Sequence, residues 1–137
     1  MDSVRLDQTQ KNQLKEMGVI AVYLFGSHAQ GTAGPLSDID IGVVFENPEK
    51  YRGNTLEAYD KLYRLFSDVF ADTPGEPDVV FLQFTPLALQ YRAIRDGKVL
   101  YEYGRKARFQ YQEEILKRNA DMQYLYNLSY RTLLERI

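Results

Sequence analysis

The 137-residue sequence has no cysteine, no tryptophan and a single histidine. Without thiols there can be no disulfide, thiolate zinc site, iron–sulfur cluster or cysteine nucleophile. Long apolar runs are missing as well. The longest, Val19 to Phe25, is seven residues, far short of the roughly 20 that span a bilayer. The polar opening MDSVRLDQTQ does not read as a signal peptide. Excess charge is absent too: the net charge is −2 and the isoelectric point about 5.4, which does not point to a dedicated nucleic-acid binder. What remains is a soluble, cytoplasmic protein of about one domain, 45% apolar and 26% charged. That length buries about two-thirds of the unfolded chain's surface.

The charge it does carry is divided unevenly. Residues 104–137 hold seven bases and four acids, a balance of +3 that leaves −5 for residues 1–103. All five prolines fall between Pro35 and Pro86, and neither proline nor glycine occurs after Gly104. The expected organisation is a compact body over 1–103 followed by a helical extension over 104–137. In the extension Tyr111, Ile115, Met122, Tyr126, Leu133 and Ile137 alternate spacings of four and seven, the seam of a helix that packs on another helix. Six of the eleven tyrosines lie at or after Tyr101, a composition suited to an interface. Two arrangements stay open: one helix running ~50 Å as a partner-docking arm, or two helices folding back to complete the core.

In the body, residues 8–17 read as a short helix stopped at Gly18. Val19 to Phe25 and Ile39 to Phe45 read as strands, and Ile39, Ile41, Val43 and Phe45 share one face of the second. Leu56 to Phe70 has helical spacing, with Asn54 and Glu57 as a capping box. A turn over 72–77 leads to a third strand, Asp78 to Leu82. Thr85 as N-cap, Pro86 at the first helical position and Gly97 past the end mark a helix. Val99 to Tyr101 is a short further strand. The order implies an α/β (α+β) fold, a small mixed β-sheet with helices.

The chemistry concentrates at Gly26-Ser27 and, ten residues on, Asp38-Ile39-Asp40. On an extended chain residues i and i+2 share a face, ~6.6 Å apart, so Asp38 and Asp40 point one way while Ile39 and Ile41 point into the core. Two unit charges ~4 Å apart repel by about 4 kcal/mol at an effective dielectric near 20. A hard divalent cation, Mg²⁺ above all, relieves that repulsion and brings nucleotide phosphates with it. Gly26 ends one strand and Ser27 opens the next turn, presenting backbone N–H groups and a hydroxyl where a phosphate can sit. If the third strand lies beside the second, Asp78 completes a three-carboxylate site for two metals ~3.5–4 Å apart. An interleaved calcium loop is disfavoured, because Ile39 and Ile41 occupy positions that such a loop needs polar. His28 reads either as an exposed loop residue or as a nucleotide contact.

The segment GSHAQGTAGPLSDIDIGVVF resembles the signature of the DNA polymerase β-like nucleotidyltransferase superfamily. Its small size is similar to the minimal nucleotidyltransferases, the MntA-type antitoxins of HEPN/MNT toxin–antitoxin pairs. The strong part covers residues 19–45, supported by Pro77-Asp78-Val79-Val80 and by the long helix after Tyr103. The resemblance implies that Asp38 and Asp40 bind Mg²⁺, that Asp78 joins them and activates the attacking hydroxyl, and that Gly26 and Ser27 hold the phosphates. It implies transfer of AMP from ATP to a tyrosine of a partner HEPN ribonuclease. Many members carry basic residues just after the Gly-Ser pair, where this chain has His28 and Gln30. Two other functions stay open on the residues alone: a catalytically silent antitoxin that neutralises by binding, and a small-molecule adenylyltransferase of the antibiotic-resistance type. Neither direct nucleic-acid binding nor membrane association is expected.

Overall fold

The structure, a computed structural model, describes residues 4–136. Five helices and four strands follow the order α1 (Gln8–Glu16), β1 (Val19–Phe25), α2 (Ser27–Gln30), β2 (Ile39–Phe45), α3 (Thr55–Val69), β3 (Pro77–Phe81), α4 (Leu87–Asp96), β4 (Lys98–Glu102) and α5 (Arg105–Glu135). The strands form one sheet in the order β3-β2-β1-β4. β1 is antiparallel to both β2 and β4, and β2 is parallel to β3. All seven side chains of β1 are buried, as they must be in a central strand covered on both faces. The sheet is therefore mixed, as the pattern of elements implies.

The period-2 reading of β2 decides which residues meet which layer. Ile39, Ile41, Val43 and Phe45 pack with Leu14 of α1 and Leu62, Leu65 and Phe66 of α3. On the opposite face Val44 joins Tyr23, Phe25, Ala93 of α4, and Tyr111 and Ile115 of α5. Pairing of β2 with β3 ends at Val43 opposite Phe81. Two residues further on, the Gln83 side-chain amide takes over: it accepts from Phe45 N–H and donates to Phe45 C=O, both at 2.8 Å.

Three local expectations are corrected. The capping box forms on α1, where Asp7 accepts from Gln10 N–H at 2.8 Å and Gln10 accepts from Asp7 N–H at 2.9 Å. At α3, Asn54 has φ −141°, ψ 54° and makes no side-chain cap, because that backbone lies outside the extended region from which an N-cap reaches inward. Leu56 also faces out at 80% exposure, and Ala58 and Leu65 take the buried face instead. Thr85 does not cap α4: its hydroxyl donates to Leu82 C=O at 2.6 Å, closing the preceding 3₁₀ turn, and α4 starts after Pro86.

The C-terminal segment is one unbroken helix of 31 residues, about 46 Å long. It does not fold back, yet its first turns belong to the core. Tyr111 and Ile115 are buried, and Tyr111 donates to Gln90 Oε1 at 2.8 Å while Gln90 donates to Thr85 C=O at 3.0 Å. Tyr23 of β1 donates to Gln112 Oε1 at 2.7 Å, and burial pushes its phenol pKa up to about 12. Arg108 pairs with Glu102. From residue 120 to 136 every side chain is exposed, Met122, Tyr126 and Leu133 among them. Ile137, the last seam position, lies outside the described residues. Ile115→Ala is expected to cost about 2–5 kcal/mol in chemical denaturation. Tyr126→Ala, on the same helix, is expected to stay within about 0.5 kcal/mol in the isolated chain.

Candidate active site

Four backbone segments meet at one end of the sheet. β1 runs out at Phe25, which is paired with Asp40 of β2. Gly26 follows at φ +71°, a conformation that L side chains avoid. A Cβ there would also collide with the Asp40 carboxylate, whose Oδ2 rests against the glycine. Gly26 is thus required twice, by its dihedral and by what lies on it. Ser27 opens α2, and the chain reverses at Gly31 into the exposed loop that leads to Asp38.

The third carboxylate arrives through the sheet. In the parallel ladder between β2 and β3, Asp40 stands directly opposite Asp78, so the two side chains share a face. Asp38 lies two residues before Asp40, just outside the ladder, because β2 begins at Ile39. The structure brings Gly26, Ser27, Asp38, Asp40 and Asp78 together, all five of the residues the sequence singles out. Asp40 is half-buried, while Asp38 and Asp78 are exposed.

Asp40 records this crowding. Its carboxyl is held above the ordinary carboxylate range, first by burial, then by the charges of Asp78 and Asp38, with His28 acting in the opposite direction. A half-buried carboxylate faced by two others is an unfavourable arrangement for the protein alone and a favourable one for a cation. All three donors are carboxylates, the oxygen donor set that hard divalent cations prefer over transition metals with softer ligands. Among the described residues no three His, Asp or Glu side chains are gathered closely enough to hold a metal ion as they stand; the three carboxylates lie at one end of the sheet, with Asp38 and Asp78 open to solvent.

His28 is not the exposed loop residue of one of its two readings: it is 7% exposed, and its Nε2–H donates to the Ser37 carbonyl at 3.1 Å. Ser37 also fills a structural role, its hydroxyl accepting from Gly34 N–H at 2.9 Å. On the far side, Ile39 N–H donates to Glu76 C=O at 2.8 Å, and Gly75 at φ +105° lies so close to the Ser37 carbonyl that any Cβ would collide with it. The turn before β3 is thereby tied to the loop before β2. The body's large cleft, about 860 Å³ between α1 and α3, is lined by residues such as Asn12, Met17, Tyr51, Glu57 and Lys61, and by none of the three carboxylates.

Comparison with known proteins places this geometry. The family described as Polymerase beta, Nucleotidyltransferase matches residues 8–106, a span that contains all five site residues and most of the chain. The chain belongs to this nucleotidyltransferase family. It is 30% identical over 103 residues to the protein adenylyltransferase MntA of Aphanizomenon flos-aquae (strain 2012/KM1/D3), which covers 72% of this chain and 67% of that protein. Among solved structures, a toxin–antitoxin crystal structure with AMP-PNP superposes with a TM-score of 0.66 at 20% identity, covering 94% of this chain and 99% of that one. The MNT antitoxin complex with the tri-AMPylated Shewanella oneidensis HEPN toxin gives 0.55 at 17% identity, covering 94% and 99%. At these identities the solved structures speak for the fold, which is that of the nucleotidyltransferase family.

The raised pKa of Asp40 also bears on stability. A carboxyl whose folded pKa is raised binds its proton more tightly folded than unfolded. The stability it contributes is complete below the unfolded pKa and is lost as pH rises through the folded value. At neutral pH and without divalent cations, Asp40→Asn is therefore expected to melt above the wild type, a site-removal gain. The difference should shrink as pH falls through the raised pKa of Asp40. Thermal unfolding in chelator across acidic to neutral pH checks both the sign and the trend.

Proposed function

We propose that this chain is an antitoxin that transfers AMP from ATP to a tyrosine hydroxyl of a partner HEPN ribonuclease, with Asp38, Asp40 and Asp78 as the catalytic carboxylates. The observation that carries this reading is the pairing of Asp40 with Asp78 beside the Gly26–Ser27 turn. It is supported by a related protein adenylyltransferase and by structural neighbours that include a toxin–antitoxin structure with AMP-PNP and an MNT antitoxin in complex with a tri-AMPylated HEPN toxin.

Asp38, Asp40 and Asp78 are the residues that would hold Mg²⁺. When bound, the metal supplies charge neutralisation on the triphosphate and polarises the α-phosphate. Gly26 and Ser27 hold the phosphates through backbone N–H groups and the hydroxyl. Asp78, on the outer edge of the sheet and open to solvent, meets the acceptor and takes its phenolic proton. The tyrosine oxygen then forms a bond to the α-phosphorus as the bond from that phosphorus to the bridging oxygen breaks, and pyrophosphate leaves. Positioning and electrostatics provide most of the acceleration.

The acceptor is another protein. Its recruitment falls to the part of α5 beyond the body. Met122, Tyr126 and Leu133 continue the stripe on which Tyr111 and Ile115 pack, and all three are exposed. Residues 104–137 form the docking extension and carry +3 against the −5 of the body. The reading places the chain in the cytoplasm, with its partner; no described helix is long and apolar enough to cross a membrane.

With radiolabelled ATP and a co-expressed HEPN partner, Asp38→Asn and Asp40→Asn are each expected to lower labelling on the order of 100-fold or more. Labelling at the wild-type rate contradicts the carboxylate assignment. Combined Met122→Ala, Tyr126→Ala and Leu133→Ala is expected to weaken the complex at least about tenfold without lowering the melting temperature of the isolated chain.

A further inference from the structure

Asp38 is the least supported of the three carboxylates. Asp40 and Asp78 sit inside the β2–β3 ladder, but Asp38 precedes it on an exposed loop. Hydrogen bonds hold its backbone from both sides, and Ser37 is further tied to Gly34 through its N–H and its hydroxyl. Ahead of it the Ser37 carbonyl accepts from His28 Nε2–H at 3.1 Å. Behind it Ile39 N–H donates to Glu76 C=O at 2.8 Å. The second bond continues the sheet pairing; the first depends wholly on one side chain. That side chain is buried and follows Ser27 directly. Across the same carbonyl lies Gly75, and a Cβ on it would stand 3.6 Å from His28 Nε2. One imidazole therefore joins the Gly26–Ser27 turn, the loop carrying Asp38 and the turn before β3.

We propose that His28 is a positioning residue: by donating to the Ser37 carbonyl it holds the Asp38 carboxylate where it can share a divalent cation with Asp40. This rests on the carboxylate reading of the site given above. Groups that orient metal ligands from behind typically change affinity or activity by 10–100-fold when removed, and the same range applies here.

The experiment uses the full chain and Mn²⁺ as the probe, with free Mn²⁺ followed by electron paramagnetic resonance. His28→Leu keeps an apolar filling and removes the donor, and is expected to weaken Mn²⁺ binding about tenfold or more. His28→Gln places an amide N–H at similar reach and is expected to recover most of that loss, a recovery that mere filling of space would not give. Gly75→Ala, which displaces the same carbonyl while leaving His28 intact, is expected to weaken binding as His28→Leu does; it keeps the test decisive if the leucine variant does not fold. In adenylyl transfer, kcat should fall more than KM for ATP rises. Wild-type Mn²⁺ affinity in His28→Leu, or equal losses for leucine and glutamine, overturns the proposal. Asp40→Asn separates the two claims. If it abolishes Mn²⁺ binding while His28→Leu does not, only the role of His28 fails. If it too leaves binding unchanged, the carboxylate reading fails with it.

Discussion

The arrangement on which the rest depends is the repulsion among three carboxylates that the backbone does not allow to separate. Asp40 is set in the ladder opposite Asp78, and its carboxylate occupies the space that a side chain at Gly26 would need. Its carboxyl pKa is raised, first by burial and then by the charges of Asp78 and Asp38. The strands hold because their other residues are buried: Ile39 and Ile41 flank Asp40 at 0% exposure, and Val79 follows Asp78 at 5%. Each strand thus alternates between stabilising the core and presenting charge, and the core-facing residues offset what the charged ones cost. On the proposed reading, a cation bound with a triphosphate would reverse the sign of that cost.

The same division between core and function runs along α5. Its first turns are part of the body, with Tyr111 and Ile115 buried and Tyr23, Gln90, Arg108 and Gln112 forming a polar seam beneath them. Beyond residue 119 nothing on the chain touches it closely enough to bury a side chain. Yet Tyr124, Leu125, Tyr126, Leu128 and Tyr130 are all exposed there. A helix polar on its free faces is at ease in water, and one that is apolar on several faces is built to be enclosed. The helix is therefore anchored at one end and available at the other.

Much of this was legible in the residues. The period-2 run of β2 places Ile39 and Ile41 inward and so Asp38 and Asp40 outward, and the ten-residue spacing from Gly26-Ser27 brings that turn to the same end of the sheet. Asp78 needed one further fact, that β3 lies beside β2, which no local pattern carries. The burial of His28 was not legible because it comes from the reversal of the loop over 31–38 and from the turn at Gly75, two segments far apart in sequence. Caps failed for a related reason: Asn54 and Thr85 are the right residue types, but the 3₁₀ turns before α3 and α4 set their backbones or hydroxyls to other uses. Of the seam read in α5, the body packs Tyr111 and Ile115 and leaves Met122, Tyr126 and Leu133 exposed, because where the body ends is a tertiary fact that no local pattern carries.

The most direct test is the intact mass of a co-purified HEPN partner incubated with this chain, ATP and Mg²⁺. The account predicts that the partner gains whole AMP units with the wild-type chain. It predicts no gain with Asp78→Asn, although that variant still binds the partner. A partner that binds the wild-type chain and is silenced without any gain in mass would contradict it.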